Sequence, residues 1–221
     1  MWLQLHTSLL LYLFELKRIV SIATKGDRPE QLKRTIASLE NQCDEVFVYD
    51  NTMRTDYTDN AKFWLLEELS EPCYYFTADD DLIYPSDYCQ KTVEWIYKFG
   101  EIISYHGRIL KEPIRSYYRG HTVYDFRGVN DRAMFLDVGG TGVMCFRTDI
   151  FKPDQIYKSE YKCMSDLVLS LEAKKQGRRI ICPPHPQNWI IQQEVSGGIM
   201  NTFAKNEGQQ IELAKQIYES K

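Results

Sequence analysis

The sequence lacks an apolar run long enough to cross a membrane. Residues 9–14 form an apolar run near the start of the chain, but it has only six residues. A membrane-spanning helix needs about 20 apolar residues. A basic start and a small-residue cleavage site, which mark a signal peptide, are not clear either. We therefore expect no transmembrane span and interpret residues 1–17 as a leader or an extra helix, with a peripheral membrane anchor as the minority alternative.

Excess positive charge is also missing. The chain has 27 Lys and Arg against 31 Asp and Glu, which gives a formal net charge of −4. Binding a polyanion needs a net basic face, so nucleic acid is not expected as the main partner. The six cysteines form no C-x-x-C pair, which argues against a zinc site. Several lie in apolar runs, which favours reduced core cysteines in a cytoplasmic protein.

Short apolar segments alternate with helical patterns through the first hundred residues. Four segments have the length and composition of buried strands, namely 18–23, 45–49, 73–76 and 101–105. Between them, apolar residues recur at helical spacing and predict covering helices. This alternation is typical of an α/β fold with a mostly parallel central sheet flanked by helices. At 221 residues, the chain suits one domain with an appendage at most.

The second half of the chain has a different pattern. Residues 107–132 mix arginines with aromatic residues, which we interpret as a long excursion or hairpin outside the core. Residues 133–138 and 143–146 read as strands joined by a glycine-rich link. A helix is predicted from a cap at Ser165 to about residue 175, and the tail at 207–218 has the spacing of an amphipathic helix.

Polar residues follow three of the predicted strands. Thr24 and Arg28 come after the first strand, Asp50 ends the second, and residues 79–81 follow the third. In parallel sheets, ligands bind beyond the carboxyl ends of the strands. These side chains are therefore expected to share one crevice, although they are far apart in the sequence.

The strongest single signal is the run of three aspartates, Asp79, Asp80 and Asp81. Three like charges repel one another, so the run is costly unless a cation neutralises it. Hard divalent cations prefer carboxylate oxygens and share phosphate oxygens of a substrate, so Mn²⁺ or Mg²⁺ bridging a diphosphate fits. The alternative is a solvated acidic loop. The position directly after an apolar strand favours the metal-binding interpretation.

These residues resemble a known family, the GT-A-fold glycosyltransferases, especially family 2. The resemblance is carried by four pieces of sequence: 20–24 (Val-Ser-Ile-Ala-Thr), Arg28-Pro29, 48–51 (Val-Tyr-Asp-Asn) and 76–81 (Phe-Thr-Ala-Asp-Asp-Asp). It covers roughly residues 18–190, and the D-x-D element is its most diagnostic part. It implies a Rossmann-like domain in which residues 18–105 form the nucleotide-sugar-binding half. Residues 106–221 then form a smaller acceptor-side half of the same domain, with a C-terminal helix.

The resemblance also implies an activity. A metal-dependent, inverting glycosyltransferase of the hexosyltransferase type is expected, with Mn²⁺ or Mg²⁺ as the cofactor. Its donor would be a nucleotide-sugar, with a UDP-sugar as first choice, and its acceptor a hydroxyl of a carbohydrate or of a glycoprotein glycan.

Matching positions receive roles from the resemblance. The nucleotide-binding residues would be Thr24, Arg28, Asp50, Asp79 and Asp80. The metal ligands would be Asp81, Asp79 and His185. The residues near the donor or acceptor sugar would be Gly140, Thr141 and Trp189, and the catalytic base would be Asp166.

Three of these assignments have plain structural alternatives. Asp166 stands at a predicted helix start, where an Asp commonly only complements the helix dipole or caps the helix, and Ser165 precedes it where many family members have Glu. A lone His185 between prolines is more often structural than a ligand. The glycine-rich link around Gly140 either lets the backbone approach a sugar or simply forms a hairpin turn.

Two other functions stay open from the sequence. A sugar nucleotidyltransferase shares the α/β layout, but it would want a glycine-rich phosphate loop, and residues 24–27 contain one glycine. A non-catalytic carbohydrate-binding or cation-binding domain could keep the acidic run as a plain ion site. It would bind sugar in a metal-dependent way without turnover.

Overall fold

The structure is a computed structural model in which residues 16–194 and 207–220 are described. Most of the interpreted leader, residues 1–15, lies outside the described residues. The described strands are β1 (Lys17–Thr24), β2 (Glu45–Asp50), β3 (Cys73–Asp79), β4 (Leu82–Ile83), β5 (Ile102–Ser104), β6 (Gly107–Ile109), β7 (Thr122–Tyr124), β8 (Met134–Leu136), β9 (Val138–Gly139), β10 (Val143–Arg147), β11 (Ile180–Cys182) and β12 (Ile191–Gln192). The described α-helices are α1 (Pro29–Leu39), α2 (Tyr88–Phe99), α3 (Ser165–Lys175) and α4 (Gly208–Glu219). Two 3₁₀ helices span Thr58–Glu67 and Ile156–Lys158.

A seven-stranded sheet organises the fold, in the order β2-β1-β3-β10-β5-β11-β8. β1 runs parallel to β2 and β3, and β11 runs parallel to β5. β10 is antiparallel to both β3 and β5, and β8 is antiparallel to β11. Five strands therefore share one direction, and helices flank them. The predicted α/β class with a mostly parallel central sheet is confirmed.

Alternation along the central strands divides the core into two layers. On β3, Tyr74 and Phe76 pack into the layer beneath α1 and α2, whereas Tyr75 packs into the opposite layer with the 3₁₀ helix. This follows from the period of two in a strand, which sends successive side chains to opposite faces. A third cluster joins α4 to α3, with Ile217 and Leu167 both buried. The predicted C-terminal helix therefore packs against the domain.

Local sequence explains where the helices begin and end. Pro29 occupies the first turn of α1, where its missing N–H is not needed. α2 ends at Phe99 and is capped by Gly100, whose φ of 66° is left-handed and whose N–H donates to the Ile96 carbonyl. α3 begins at Ser165 as predicted, but the proposed cap is wrong, because no side chain caps this helix. The Ser165 hydroxyl bonds instead to a buried carboxylate, described below.

The second half departs from the predicted strands in two ways. Residues 133–138 were expected to form one strand, but β8 ends at Leu136 and β9 begins at Val138. β9 then pairs with β6, in a small sheet of order β7-β6-β9. The excursion at 107–132 accordingly contains the β6–β7 hairpin. No helix among residues 16–194 and 207–220 is long and apolar enough to span a membrane.

Candidate functional site

Three neighbouring strands end at the same edge of the central sheet. Thr24 is the last residue of β1 and lies opposite Asp50, the last residue of β2. Asp79, the last residue of β3, lies opposite Ala23 of β1. The parallel pairing thus brings together three predicted site residues from positions 24, 50 and 79.

The turn after β3 is tied to the turn after β1. The Thr24 hydroxyl donates a 2.6 Å hydrogen bond to Asp80 Oδ2. Arg28 Nη1 donates to Asp81 Oδ2 at 2.9 Å and lies 3.6 Å from Asp80 Oδ1. All four side chains were predicted from the sequence to share this crevice, and the geometry brings them together.

Asp79 faces a different set of groups. Its carboxylate accepts a hydrogen bond from the Lys62 ammonium, and its backbone N–H donates to the Tyr84 oxygen at 3.1 Å. The Tyr84 hydroxyl in turn donates to the Gly142 carbonyl at 2.5 Å. A Cβ added at Gly142 would overlap the Asp79 carboxylate. Only glycine therefore lets the link between β9 and β10 approach the end of β3 so closely.

The three aspartates do not share one electrostatic environment. Burial, followed by the charges of Asp79 and Asp80, raises the pKa of Asp81 to about 6, although Arg28 acts against this. Burial also raises the pKa of Asp80, despite the hydrogen bond from Thr24. The side chain of Asp79 keeps 44 % of its surface exposed. Negative charge at this turn is therefore only partly compensated by protein cations.

Asp50 lies at the crevice, but its carboxylate accepts hydrogen bonds from Thr52 in the same turn. Its Oδ1 accepts hydrogen bonds from the Thr52 backbone N–H at 2.8 Å and from the Thr52 hydroxyl at 2.7 Å. The hydroxyl and backbone hydrogen bonds lower the pKa of Asp50. A Cβ added at Gly26 would lie 3.6 Å from both carboxylate oxygens, so Asp50 borders the turn that follows Thr24.

Asp166 lies in the first turn of α3 and reaches back to the glycine-rich link. Its Oδ1 accepts the Thr141 backbone N–H at 2.7 Å and the Thr141 hydroxyl at 2.8 Å. The same hydroxyl lies 2.7 Å from the Ser165 oxygen. The Asp166 side chain therefore bonds to Thr141 and does not cap its own helix, although its place in the first turn still complements the helix dipole. Gly142, which follows Thr141 in the sequence, is the residue that packs against the Asp79 carboxylate.

Sequence reasoning missed two charged residues that join these clusters, Asp59 and Lys62. Asp59 Oδ2 accepts the Ser165 N–H at 3.1 Å and the Ser165 hydroxyl at 2.5 Å. Burial raises the pKa of Asp59, with Lys62 acting against it. Both residues belong to the 3₁₀ helix Thr58–Glu67, where the sequence predicts only an amphipathic helix. The one signal was a lysine inside an apolar run.

Lys62 is buried and interacts with carboxylates from three parts of the chain. Burial alone would lower the pKa of this ammonium. Three carboxylates nevertheless hold the pKa above its ordinary value, namely those of Asp79, Asp59 and Asp166. Lys62 is therefore a charged lysine in the interior of the site.

His106 is a further residue that the sequence did not single out. A Cβ added at Gly140 would lie 2.9 Å from a carbon of the His106 ring. The ring Nδ1 is buried and has no hydrogen-bond partner in the described part of the chain. Burial lowers the pKa of His106, while the charge of Asp166 acts in the opposite direction. An imidazole whose pKa is lowered by burial thus lies against the glycine-rich link.

His185 and Trp189 lie in an aromatic cluster with Tyr105. The His185 ring packs edge-on to Tyr105 at 5.8 Å, and the Trp189 ring lies 4.8 Å from the same tyrosine. The Trp189 N–H donates to Asp87 at 3.2 Å. The buried His185 Nε2 has no hydrogen-bond partner among the described residues. No described contact joins either residue to Asp79, Asp81 or Thr141, so their predicted site roles remain predictions.

The residues that could bind a divalent cation are the carboxylates of the acidic turn after β3. Within residues 16–194 and 207–220, no three His, Cys, Asp or Glu side chains converge as a ready metal site. A cation at Asp79 and Asp81 therefore needs further oxygens from a ligand, which is how Mg²⁺ is commonly bound with phosphates. The carboxylate donors and their incompletely neutralised charge fit such a shared ion. The described residues do not provide a metal site in which protein side chains supply all the ligands.

Comparisons with known proteins add little to this geometry. No family model matches the chain, and no curated protein matches it. Among solved structures, A197 from STIV is similar to 83 % of this chain and 97 % of its own, at 11 % sequence identity and a TM-score of 0.46. A likeness at this level assigns neither a family nor an activity to the chain.

Proposed function

We propose that this chain is a glycosyltransferase that takes a sugar from a nucleotide-sugar and passes it to an acceptor hydroxyl. One observation carries the proposal: the acidic turn after β3 and Asp166 lie on two sides of the same site. Gly142 touches Asp79, and the adjacent Thr141 is bonded to Asp166. A donor-binding carboxylate and a candidate base are thereby joined through two consecutive residues.

The donor side follows from the strand ends. Thr24, Arg28 and Asp50 border the nucleotide in this proposal, and Asp79 and Asp81 hold Mn²⁺ or Mg²⁺ together with the donor diphosphate. The ion would neutralise charge that develops on the departing diphosphate. A UDP-sugar is the first choice of donor, because the resemblance of residues 48–51 to family 2 enzymes extends to Asp50 as a contact of the base.

The charge balance supports an ion at this site. Charge interactions link five carboxylates in two groups that share Lys62, and in the described residues the cations bonded or paired with them are Arg28 and Lys62. The five are Asp59, Asp79, Asp80, Asp81 and Asp166. Burying unbalanced charge is costly, so a divalent cation arriving with its ligand lowers the electrostatic free energy.

The chemical step assigned to Asp166 is proton removal. The acceptor hydroxyl gives its proton to Asp166 while its oxygen forms a bond to the anomeric carbon, and the bond from that carbon to the diphosphate oxygen breaks. A single displacement inverts the configuration, as the resemblance to family 2 implies. Thr141 holds the Asp166 carboxylate by two hydrogen bonds, which fixes the base at the site. General-base help contributes about 10²–10⁴-fold.

A turnover assay tests the proposal and separates the alternatives. The protein is incubated with a panel of nucleotide-sugars and Mn²⁺, and release of nucleoside diphosphate is measured with and without simple glycoside acceptors. Slow diphosphate release that an acceptor accelerates is the expected result, and Asp166→Asn should abolish the acceleration. Pyrophosphate formation would instead indicate a nucleotidyltransferase. Sugar binding without any turnover would indicate a binding domain.

A further inference from the structure

Lys62 is a buried lysine whose surroundings are unusual for its residue type. Only 4 % of its side-chain surface is exposed, and lysine is almost never fully buried unless it is paired. Its ammonium donates to Asp79. Its backbone carbonyl accepts a 2.6 Å hydrogen bond from the Tyr75 hydroxyl, which fixes the 3₁₀ helix against β3. Both ends of the residue are thus held in place.

The ammonium stands between the two sides of the site. Asp79 ends β3 on the donor side, whereas Asp166 belongs to α3 on the acceptor side. Asp59, from the same 3₁₀ helix as Lys62, is bonded to Ser165 at the start of α3. Charge interactions join Lys62 to all three carboxylates. Arg28, in contrast, is paired with Asp80 and Asp81.

A divalent cation that binds Asp79 has to share that carboxylate with the Lys62 ammonium. Two cations a few ångströms apart repel strongly where water is excluded. We propose that Lys62 is the internal counter-ion of the site and a positioning residue: it competes with the divalent cation for Asp79 and balances the charges of both Asp79 and Asp166. The inference rests on the proposed function, because the competition requires an ion at the acidic turn.

This role predicts opposite effects on ion binding and on transfer. Replacing the ammonium with a neutral side chain of similar length removes the competing charge, so Lys62→Met should bind Mn²⁺ about tenfold more tightly. The same change leaves Asp79 and Asp166 without the cation that interacts with both, so at saturating Mn²⁺ kcat should fall while the KM for the donor changes little. Lys62→Arg keeps the charge and should restore much of the wild-type behaviour.

The experiment titrates UDP into the purified protein at a series of Mn²⁺ concentrations by calorimetry, and the apparent Mn²⁺ affinity is taken from the dependence of UDP binding on Mn²⁺. Wild type, Lys62→Met and Lys62→Arg are compared, and their melting temperatures are recorded. Lys17→Met is the matched control, because Lys17 forms a 3.0 Å ion pair with Glu45 but is 60 % exposed. If Lys62→Met does not fold, the double variant Lys62→Met with Asp59→Asn replaces it. That variant removes one buried charge of each sign and keeps an oxygen that accepts from Ser165.

The outcomes separate the inference from the proposed function. Tighter Mn²⁺ binding with slower transfer in the neutral variant supports the counter-ion role. Unchanged Mn²⁺ affinity, with wild type binding the ion normally, overturns the counter-ion role and leaves the proposed function intact. Weaker Mn²⁺ binding that parallels a lower melting temperature overturns it as well, because a purely structural lysine behaves in that way. Absence of any Mn²⁺ effect on UDP binding, in wild type and in every variant, contradicts both proposals.

Discussion

The Thr24 hydroxyl donates a 2.6 Å hydrogen bond to Asp80 Oδ2, although 56 residues separate the two in the chain. Thr24 ends β1, and Asp80 follows the last residue of β3. Both residues are buried. The bond therefore fixes the acidic turn against the neighbouring strand, at the edge where the polar residues meet.

Thr24→Val tests this contact. The substitution removes the hydroxyl and leaves the Asp80 carboxylate buried with one fewer partner, which costs about 1–3 kcal/mol. We expect a lower free energy of unfolding and weaker UDP binding, measured by urea denaturation and calorimetry. Thr122→Val, on the partly exposed strand β7, is the control. Equal losses in both variants would contradict a specific role for the Thr24 hydroxyl.

Gly142→Ala tests the close approach of the two sides of the site. The added methyl would overlap the Asp79 carboxylate, so either the link or the acidic turn must move. Such overpacking costs about 1–3 kcal/mol. A lower melting temperature and a loss of Mn²⁺-dependent UDP binding are expected. Gly128→Ala is the control, since its added methyl lies 3.3 Å from the Asp125 carbonyl oxygen. Normal UDP affinity in Gly142→Ala would show that this approach is not needed for donor binding.

Asp166→Asn separates a base from a purely structural carboxylate. The amide keeps the size of the side chain and an oxygen that accepts from Thr141, so stability and donor affinity should change little. Transfer should fall by about 10²-fold or more, the low end of general-base effects. Loss of turnover with intact binding marks a role in the transition state. A transfer rate near that of wild type would exclude Asp166 as the base.

Much of the fold could be predicted from the sequence because local pattern and global structure agree there. Apolar segments at 18–23, 45–49 and 73–76 became β1, β2 and β3, and parallel pairing then brought Thr24, Asp50 and the aspartate run to one edge. The direction of β10 could not be predicted in this way. It depends on pairing with β3 and β5, which the residues 143–146 do not specify by themselves.

The charge partners inside the site escaped sequence reasoning for a physical reason. Lys62 and Asp59 interact with residues 17 and 106 positions away in the chain, and their neighbours in sequence give no sign of those partners. For His185 the sequence did give a local signal, but that signal did not predict its surroundings. Its flanking prolines were visible, but the structure surrounds it with Tyr105 and the Asn130 backbone. Long-range packing decided all three positions.

His106 predicts how stability responds to acid. Burial lowers its pKa below 6.5, with Arg108 and Arg127 acting in the same direction and Asp166 and Asp125 against it. The unfolded chain therefore binds a proton more readily, so the stabilisation is complete above pH 6.5 and is lost as pH falls through the folded pKa. His106→Gln should reduce the loss of stability between pH 8 and pH 5.5. Urea denaturation of both proteins at the two pH values measures it, and an unchanged pH dependence would contradict the assignment.

The central claim is that the acidic turn after β3 binds the donor diphosphate through a divalent cation. Calorimetric titration of UDP into the protein, first with Mn²⁺ and then with EDTA, tests this most directly. Asp81→Ala is titrated under the same conditions, with Asp131→Ala as an aspartate control on an exposed loop. The account predicts that Mn²⁺ tightens UDP binding in wild type and in Asp131→Ala but not in Asp81→Ala. Equal UDP affinity of the wild-type protein with Mn²⁺ and with EDTA would contradict it.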